Sequence, residues 1–107
     1  MRHRLLPSFC VLAGVLAWGA ASGGDAGRGK ALFAQQCVTC HNAGSAEKKL
    51  GPGLKGLFKA AKLANGKKAT EQTIRAQIDN GGNGMPPYKD MFSEQEKDDL
   101  IAFLKTL

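Results

Sequence analysis

Cys37-Val38-Thr39-Cys40-His41 is a C-x-x-C-H sequence, the pattern by which a chain holds a c-type haem covalently. The spacing has a chemical reason. Two thiols three positions apart can each add across one of the two vinyl groups on the porphyrin edge. The next residue then places an imidazole beneath the iron as proximal ligand, so that three side chains hold one cofactor by two thioether bonds and one coordinate bond. The competing uses of C-x-x-C are a redox dithiol and half of a zinc site. A structural zinc needs four ligands, and this chain has no second C-x-x-C and no H-x-x-x-H; its other cysteine and histidine are Cys10 and His3. A thioredoxin-like dithiol follows a strand of a βαβ unit, and nothing near Cys37 reads as a β-branched strand.

Toward the N-terminus, Met1-Arg2-His3-Arg4 is basic, and Leu5 to Ala20 is almost wholly apolar, interrupted at Pro7 and Ser8. Gly19 to Gly24 are all small. That order predicts a secretory signal peptide over residues 1–22, cleaved after Ala21 or after Ser22. The alternative is an uncleaved membrane anchor, but the apolar run falls short of the roughly 18–20 residues that span a bilayer. Phe9 stands where a lipoprotein needs a small residue, so Cys10 reads as part of the apolar run. Export agrees with the motif, because covalent haem attachment is completed outside the bacterial cytoplasm; a periplasmic or otherwise exported location is expected. Without Cys10, two cysteines remain, both committed to haem, and no disulfide is available.

Residues 23–107 then make one domain, with no transmembrane segment. The whole sequence has a net charge of +6; residues 1–22 carry Arg2 and Arg4 and no acid, so the mature chain has +4. A chain this small buries a thin core and commonly needs a staple. Haem can be that staple, so the apo-chain is expected to fold poorly.

Three helices are predicted and no strands, which makes the fold class all-α. The first begins after Asp25, a good N-cap, and runs through Leu32 and Phe33 toward Cys37; Gly27 and Gly29 weaken its propensity. The second begins near Thr70, carries Ile74 and Ile78 at i, i+4, and stops at Asn80-Gly81-Gly82. Ser93-Glu94-Gln95-Glu96 is a capping box, after which Leu100, Phe103, Leu104 and Leu107 form one apolar stripe. Glu94, Glu96 and Asp98 near its start, and Lys105 near its end, suit the helix dipole. A short helical turn is expected between Leu54 and Leu63.

Cys37–His41 early, Gly51-Pro52-Gly53-Leu54 after it, Met85-Pro86 late and an amphipathic terminal helix, in that order, resemble the small class I c-type cytochromes. The resemblance covers essentially all of residues 23–107. It implies a cytochrome c-like fold, three main helices with loops wrapped around one covalently bound haem c. His41 would be the proximal ligand, and the Pro52 carbonyl would accept its other ring N–H, fixing tautomer and basicity; the plainer reading of Pro52 is a turn residue. Met85 would reach the opposite face of the iron. Gly29 and Phe33 would form the small-plus-aromatic pair that packs across the last helix near Leu100 and Phe103.

With His3 removed, no second histidine can make a bis-His haem. The mature methionines are Met85, in the irregular Gly82–Pro87 loop, and Met91 beside Phe92. Loop context and the family's Met-Pro pattern select Met85; Met91 is expected to fill the core. His/Met ligation leaves no open site on the iron, which suits a one-electron carrier between a redox donor and acceptor, not an enzyme. The alternatives are a haem subunit fixed on a larger oxidoreductase and a five-coordinate haem sensor or enzyme.

Lys48, Lys49, Lys55, Lys59, Lys62, Lys67 and Lys68 face only Glu47 between His41 and the second helix. They read either as a solvated loop face or as a field that steers an acidic docking face of a redox partner. Nucleic acid is not an expected partner, and the carrier is expected to be a monomer. The sole tryptophan, Trp18, lies in the signal peptide, so the Trp that some relatives place by a haem propionate is missing; Tyr88, Asn83 and Lys89 are the candidate substitutes.

Overall fold

The computed structural model describes Gly14 and residues 23–107. Apart from Gly14, the expected signal peptide, with His3, Cys10 and Trp18, lies outside the described residues. The elements are α1 (Ala26–Gln36), a 3-10 turn (Leu57–Lys59), α2 (Glu71–Asn80) and α3 (Glu94–Leu104). Among the described residues there is no strand, only the isolated bridges Lys62–Lys68 and Gly82–Met85. The all-α expectation holds, with each helix where its caps place it.

Each helix start has a side chain that satisfies an orphan backbone N–H. The Asp25 carboxylate accepts from the Arg28 N–H at 2.8 Å. The Ser93 hydroxyl accepts from the Glu96 N–H at 3.1 Å while Glu96 Oε1 accepts from the Ser93 N–H at 2.9 Å. Thr70 and Thr73 close an equivalent box on α2. That box uses a hydroxyl where the usual pattern has Glu or Gln.

α1 lies directly on α3, and Gly29 is the reason it can. A β-carbon on Gly29 would overlap the Asp99 carbonyl and stand 2.9 Å from Phe103 Cβ. One turn on, the rings of Phe33 and Phe103 meet at 5.4 Å and 57°, a tilted pairing that aromatic quadrupoles favour. The core is small: Phe33, Ile74, Ile78, Phe92, Leu100, Ile101, Phe103 and Leu104. α2 is tied to α3 by charge, Arg75 to Asp98 at 2.7 Å and Lys97 to Asp79 at 2.9 Å.

Two charged residues of α3, Lys97 and Asp99, are buried, which the apolar stripe did not indicate. Asp99 accepts from Arg28 Nε at 3.0 Å, the Asp25 backbone N–H at 2.8 Å and Gln95 Nε2 at 3.0 Å. These donors, Arg28 foremost, hold its carboxyl down to about 2. Met91 corrects an expectation. It is 59% exposed and fills no core; Phe92, at 7%, takes the buried position. The Tyr88 ring stacks on Phe92 at 4.9 Å, so the space beside the helix start is already occupied by two aromatic rings.

Candidate haem site

α1 delivers the motif. Its last turn runs on through the Cys37 N–H, which donates to the Phe33 carbonyl at 2.8 Å. The Cys40 and His41 N–H groups then fold back onto the Cys37 carbonyl at 3.2 and 3.0 Å. This turn gathers Cys37, Cys40 and His41 on the wall of a cavity of about 670 Å³, inside the roughly 300–1,000 Å³ range of small-molecule and cofactor sites. Met85, Pro52 and five of the eight core side chains (Phe33, Ile74, Ile78, Leu100 and Leu104) line the same cavity.

Both cysteines are half-buried free thiols. Burial, and secondarily the neighbouring Cys40, pushes the Cys37 thiol up to about 11. Among the described residues no group of three or more His, Cys, Asp or Glu side chains is arranged to hold a bare metal ion.

His41 Nδ1 lies 2.8 Å from the Pro52 carbonyl oxygen. A carbonyl only accepts, so Nδ1 carries the hydrogen and Nε2 keeps the lone pair. The Pro52 carbonyl is thus placed to accept from the ring. The loop that brings it is clipped by the Gly51 N–H donating to the Cys40 carbonyl at 2.8 Å. Gly51 has no room for a side chain: a β-carbon there would stand 2.6 Å from His41 Cε1. The imidazole is therefore held by an acceptor on one side and by bare backbone on another.

Met85 hangs on a loop that only this composition allows. Gly81, Gly82, Asn83 and Gly84 all have positive φ, between 51° and 119°, the region open to glycine and tolerated by asparagine. Gly82 and Met85 exchange backbone hydrogen bonds at 2.9 and 3.0 Å, closing the loop at the cavity wall. The half-buried Met85 sulfur has Gln77 Nε2 at 3.7 Å. Downstream, the Tyr88 N–H donates to the Ile78 carbonyl at 2.9 Å and its hydroxyl reaches the Gln36 carbonyl at 3.3 Å.

The donor set fits a haem: two thiols, an imidazole with a free Nε2, a soft thioether sulfur and an apolar wall around them. Of the candidate propionate partners, Tyr88 and Asn83 line the cavity and Lys89 does not. All seven lysines between His41 and α2 are exposed. Leu50, 79% exposed, stands at the rim beside Lys48. Sequence reasoning missed Gln77 and Gly51. Gln77 follows Ile74 by three positions and so shares its helix face, which was a usable signal; nothing local marks Gly51 as pressed against an imidazole.

Residues 24–104 match the protein family described as "Cytochrome C oxidase, cbb3-type, subunit III". The chain is 36% identical over 100 residues to "Cytochrome c6" of Synechocystis sp., covering 92% of this chain and 80% of the relative. It is 34% identical over 120 residues to "Cytochrome c2" of Blastochloris viridis, covering 96% and 92%. Among solved structures, cytochrome c6 from the diatom Phaeodactylum tricornutum superposes with a TM-score of 0.59 at 31% identity, over 78% of this chain and 93% of that one.

Proposed function

The chain belongs to the small class I c-type cytochromes, whose cofactor is one covalently attached haem c, and from that premise we propose that it is an exported one-electron carrier with His41 and Met85 as the two axial ligands. Cys37 and Cys40 provide the thioethers, and the Pro52 carbonyl fixes the imidazole. The observation that carries this reading is a single cavity lined by both thiols, by His41 with Nδ1 committed to Pro52, and by Met85.

The haem supplies the ferric/ferrous couple, and Met/His ligation is the general ligand set of cytochromes c, raising the potential. The chain supplies the conditions for fast exchange. Soft thioether sulfur favours ferrous iron, and the apolar wall disfavours the extra charge of the ferric state. The Pro52 hydrogen bond holds His41 in one orientation beside the Gly51 backbone, and the closed 81–85 loop holds Met85, so little rearranges between states. With both axial positions taken by protein, no place remains for a substrate, and the function is transfer and not catalysis. The exposed lysines would steer an acidic face of the donor or acceptor toward the haem edge. The protein would act as a periplasmic monomer, and no helix among the described residues is long and apolar enough to cross a membrane.

Absorption spectra of periplasmically matured protein test this, for wild type, Met85→Ala and Met91→Ala, with and without carbon monoxide. Wild type and Met91→Ala should be low-spin, show the far-red methionine–iron band and ignore carbon monoxide; Met85→Ala should lose the band and bind it. A high-spin wild type, or one that takes up carbon monoxide readily, removes the closed-iron reading and brings a sensor or enzyme forward. The second reading, a haem subunit fixed on a larger oxidoreductase, has one observation in its favour, the oxidase-subunit description of the matching family. Gel filtration of an unfractionated periplasmic extract separates the two: a carrier elutes as a small monomer, a fixed subunit with its complex.

A further inference from the structure

A hydrogen-bond chain runs from the surface to the Met85 sulfur through Asn65 and Gln77, and its polarity is fixed at both ends. The Lys67 N–H lies 2.9 Å from Asn65 Oδ1. A backbone N–H only donates, so the Asn65 amide must turn Nδ2 the other way, where it is 3.0 Å from Gln77 Oε1. At the far end Gln77 Nε2 is 3.1 Å from the Gly81 carbonyl oxygen, which only accepts. Both ends demand the same two amide orientations, and together they aim a Gln77 N–H at Met85 Sδ, 3.7 Å away. Amide orientation, normally a matter of assignment, is here dictated by backbone groups. The turn that carries Asn65 is itself closed, by the Leu63 N–H on the Lys67 carbonyl at 2.7 Å and the Gly66 N–H on the Leu63 carbonyl at 2.9 Å.

We propose that Asn65 is a positioning residue for electron transfer: by donating to Gln77 Oε1 it holds the Gln77 NH₂ group on the Met85 sulfur and so raises the reduction potential. The proposal rests on Met85 being the distal ligand. An N–H dipole places its positive end toward the sulfur, draws electron density from it and favours the state of lower charge, the ferrous one. In a half-buried site such dipoles count for more than in water. Without Asn65, the Gly81 carbonyl alone orients the Gln77 amide, and the rotated amide, which turns Oε1 toward the sulfur and reverses the sign, gains population. Asn65 is exposed and also borders the cavity, so a direct effect on the cofactor would show as an equal shift with and without Gln77.

The test is a double-mutant cycle on the haem-loaded protein: wild type, Asn65→Ala, Gln77→Leu and the double variant, each followed by potentiometric titration and by the far-red band. Asn65→Ala should shift the ferric/ferrous equilibrium about three- to tenfold toward ferric, the size expected of one modest hydrogen bond, or ~30–60 mV downward at 59 mV per tenfold. In the Gln77→Leu background the same substitution should shift it by nothing. The band should survive in all four proteins. An unmoved potential in Asn65→Ala, or an equal shift in both backgrounds, overturns the proposal while leaving Met85 as ligand. A wild type that lacks the band overturns both together.

Discussion

Replacing Gly29 by Ala sets two opposed effects against each other on the same atom. Alanine in a helix interior is favoured over glycine by about 1 kcal/mol, and Gly29 is not at a positive φ, so the backbone accepts the change. Packing opposes it. The new β-carbon would overlap the Asp99 carbonyl and stand 2.9 Å from Phe103 Cβ, where carbon contacts are comfortable at about 3.5–4.0 Å. Neither neighbour is the flexible end of a side chain, so α1 and α3 must separate. A gap of roughly 0.5–1 Å forfeits about a quarter to a half of each dispersion contact across the crossing, and overpacking of this kind costs about 1–3 kcal/mol or more. The same movement stretches the Asp25 N–H and Arg28 bonds to Asp99. The penalty wins: less the gain of about 1 kcal/mol, the net loss reaches about 2 kcal/mol, or roughly 8–16 °C in Tm for a domain of this size. Gly27 is the control on the same helix. It is exposed, and a β-carbon there would meet only Asp25 Oδ1, at 3.1 Å, the oxygen that caps the helix and must give by a few tenths of an ångström. The propensity gain and the strained cap oppose each other, so Gly27→Ala should move Tm by only a few degrees, less than Gly29→Ala. Thermal melts of the haem-loaded proteins, followed by far-ultraviolet circular dichroism, decide the matter. A Gly29→Ala protein as stable as wild type would refute the close-crossing argument.

Asp99 gives an acid signature: its carboxyl, held at about 2 against an ordinary 3.8, contributes its full stability above the ordinary carboxylate range and loses it as pH falls through about 2. Acid unfolding of Asp99→Asn should therefore show a weaker pH dependence between pH ~4 and ~2 than wild type, with the difference between pH 5 and pH 7 unchanged; parallel acid titrations check this. Gly51→Ala presses a methyl group onto His41, so it should cost about 1–3 kcal/mol in denaturant unfolding and alter the iron–imidazole signature in resonance Raman, whereas an unaltered signature would mean the loop yields freely. Cys37→Ala with Cys40→Ala should leave a chain without cooperative thermal unfolding, and native-like helix with a sharp melt would count against haem as part of the core. Electron-transfer rates with the physiological partner should fall as salt rises from low to physiological strength if the lysines steer docking; a flat salt profile would leave them as a solvated face.

What could be read from the chain was whatever local chemistry writes locally. The N-caps Asp25, Thr70 and Ser93, the Leu100–Phe103–Leu104 stripe, and the left-handed loop rich in glycine are short-range statements, and each helix forms where those statements put it. The Cys37–His41 spacing is of the same kind. What escaped depends on partners far along the chain. Asp99 lies buried because Asp25 and Arg28, more than 70 residues earlier, bring it donors, and no window on α3 contains them. Met91 misled for the converse reason. An apolar residue next to a helix start is a reasonable core candidate until Tyr88 and Phe92 stack and leave it outside. Gln77 was legible by its helix face but not by its purpose, which depends on Asn65 and Gly81.

The cavity wall explains why five residues could carry so much of the fold. Phe33 comes from α1, Ile74 and Ile78 from α2, Leu100 and Leu104 from α3, and all five face the cavity while also being most of the buried core. α1 packs on α3 directly, whereas α2 meets α3 through the ion pairs of Arg75 and Lys97 and through Ile74 and Ile78, which share one buried cluster with Leu100 and Leu104. The cofactor would add apolar material to that thin junction, and a motif that attaches the cofactor also specifies where three helices converge. It follows that stability and function are one property here: loosening the 81–85 loop or the Gly51–His41 contact should weaken the grip on the haem and the docking of α2 together.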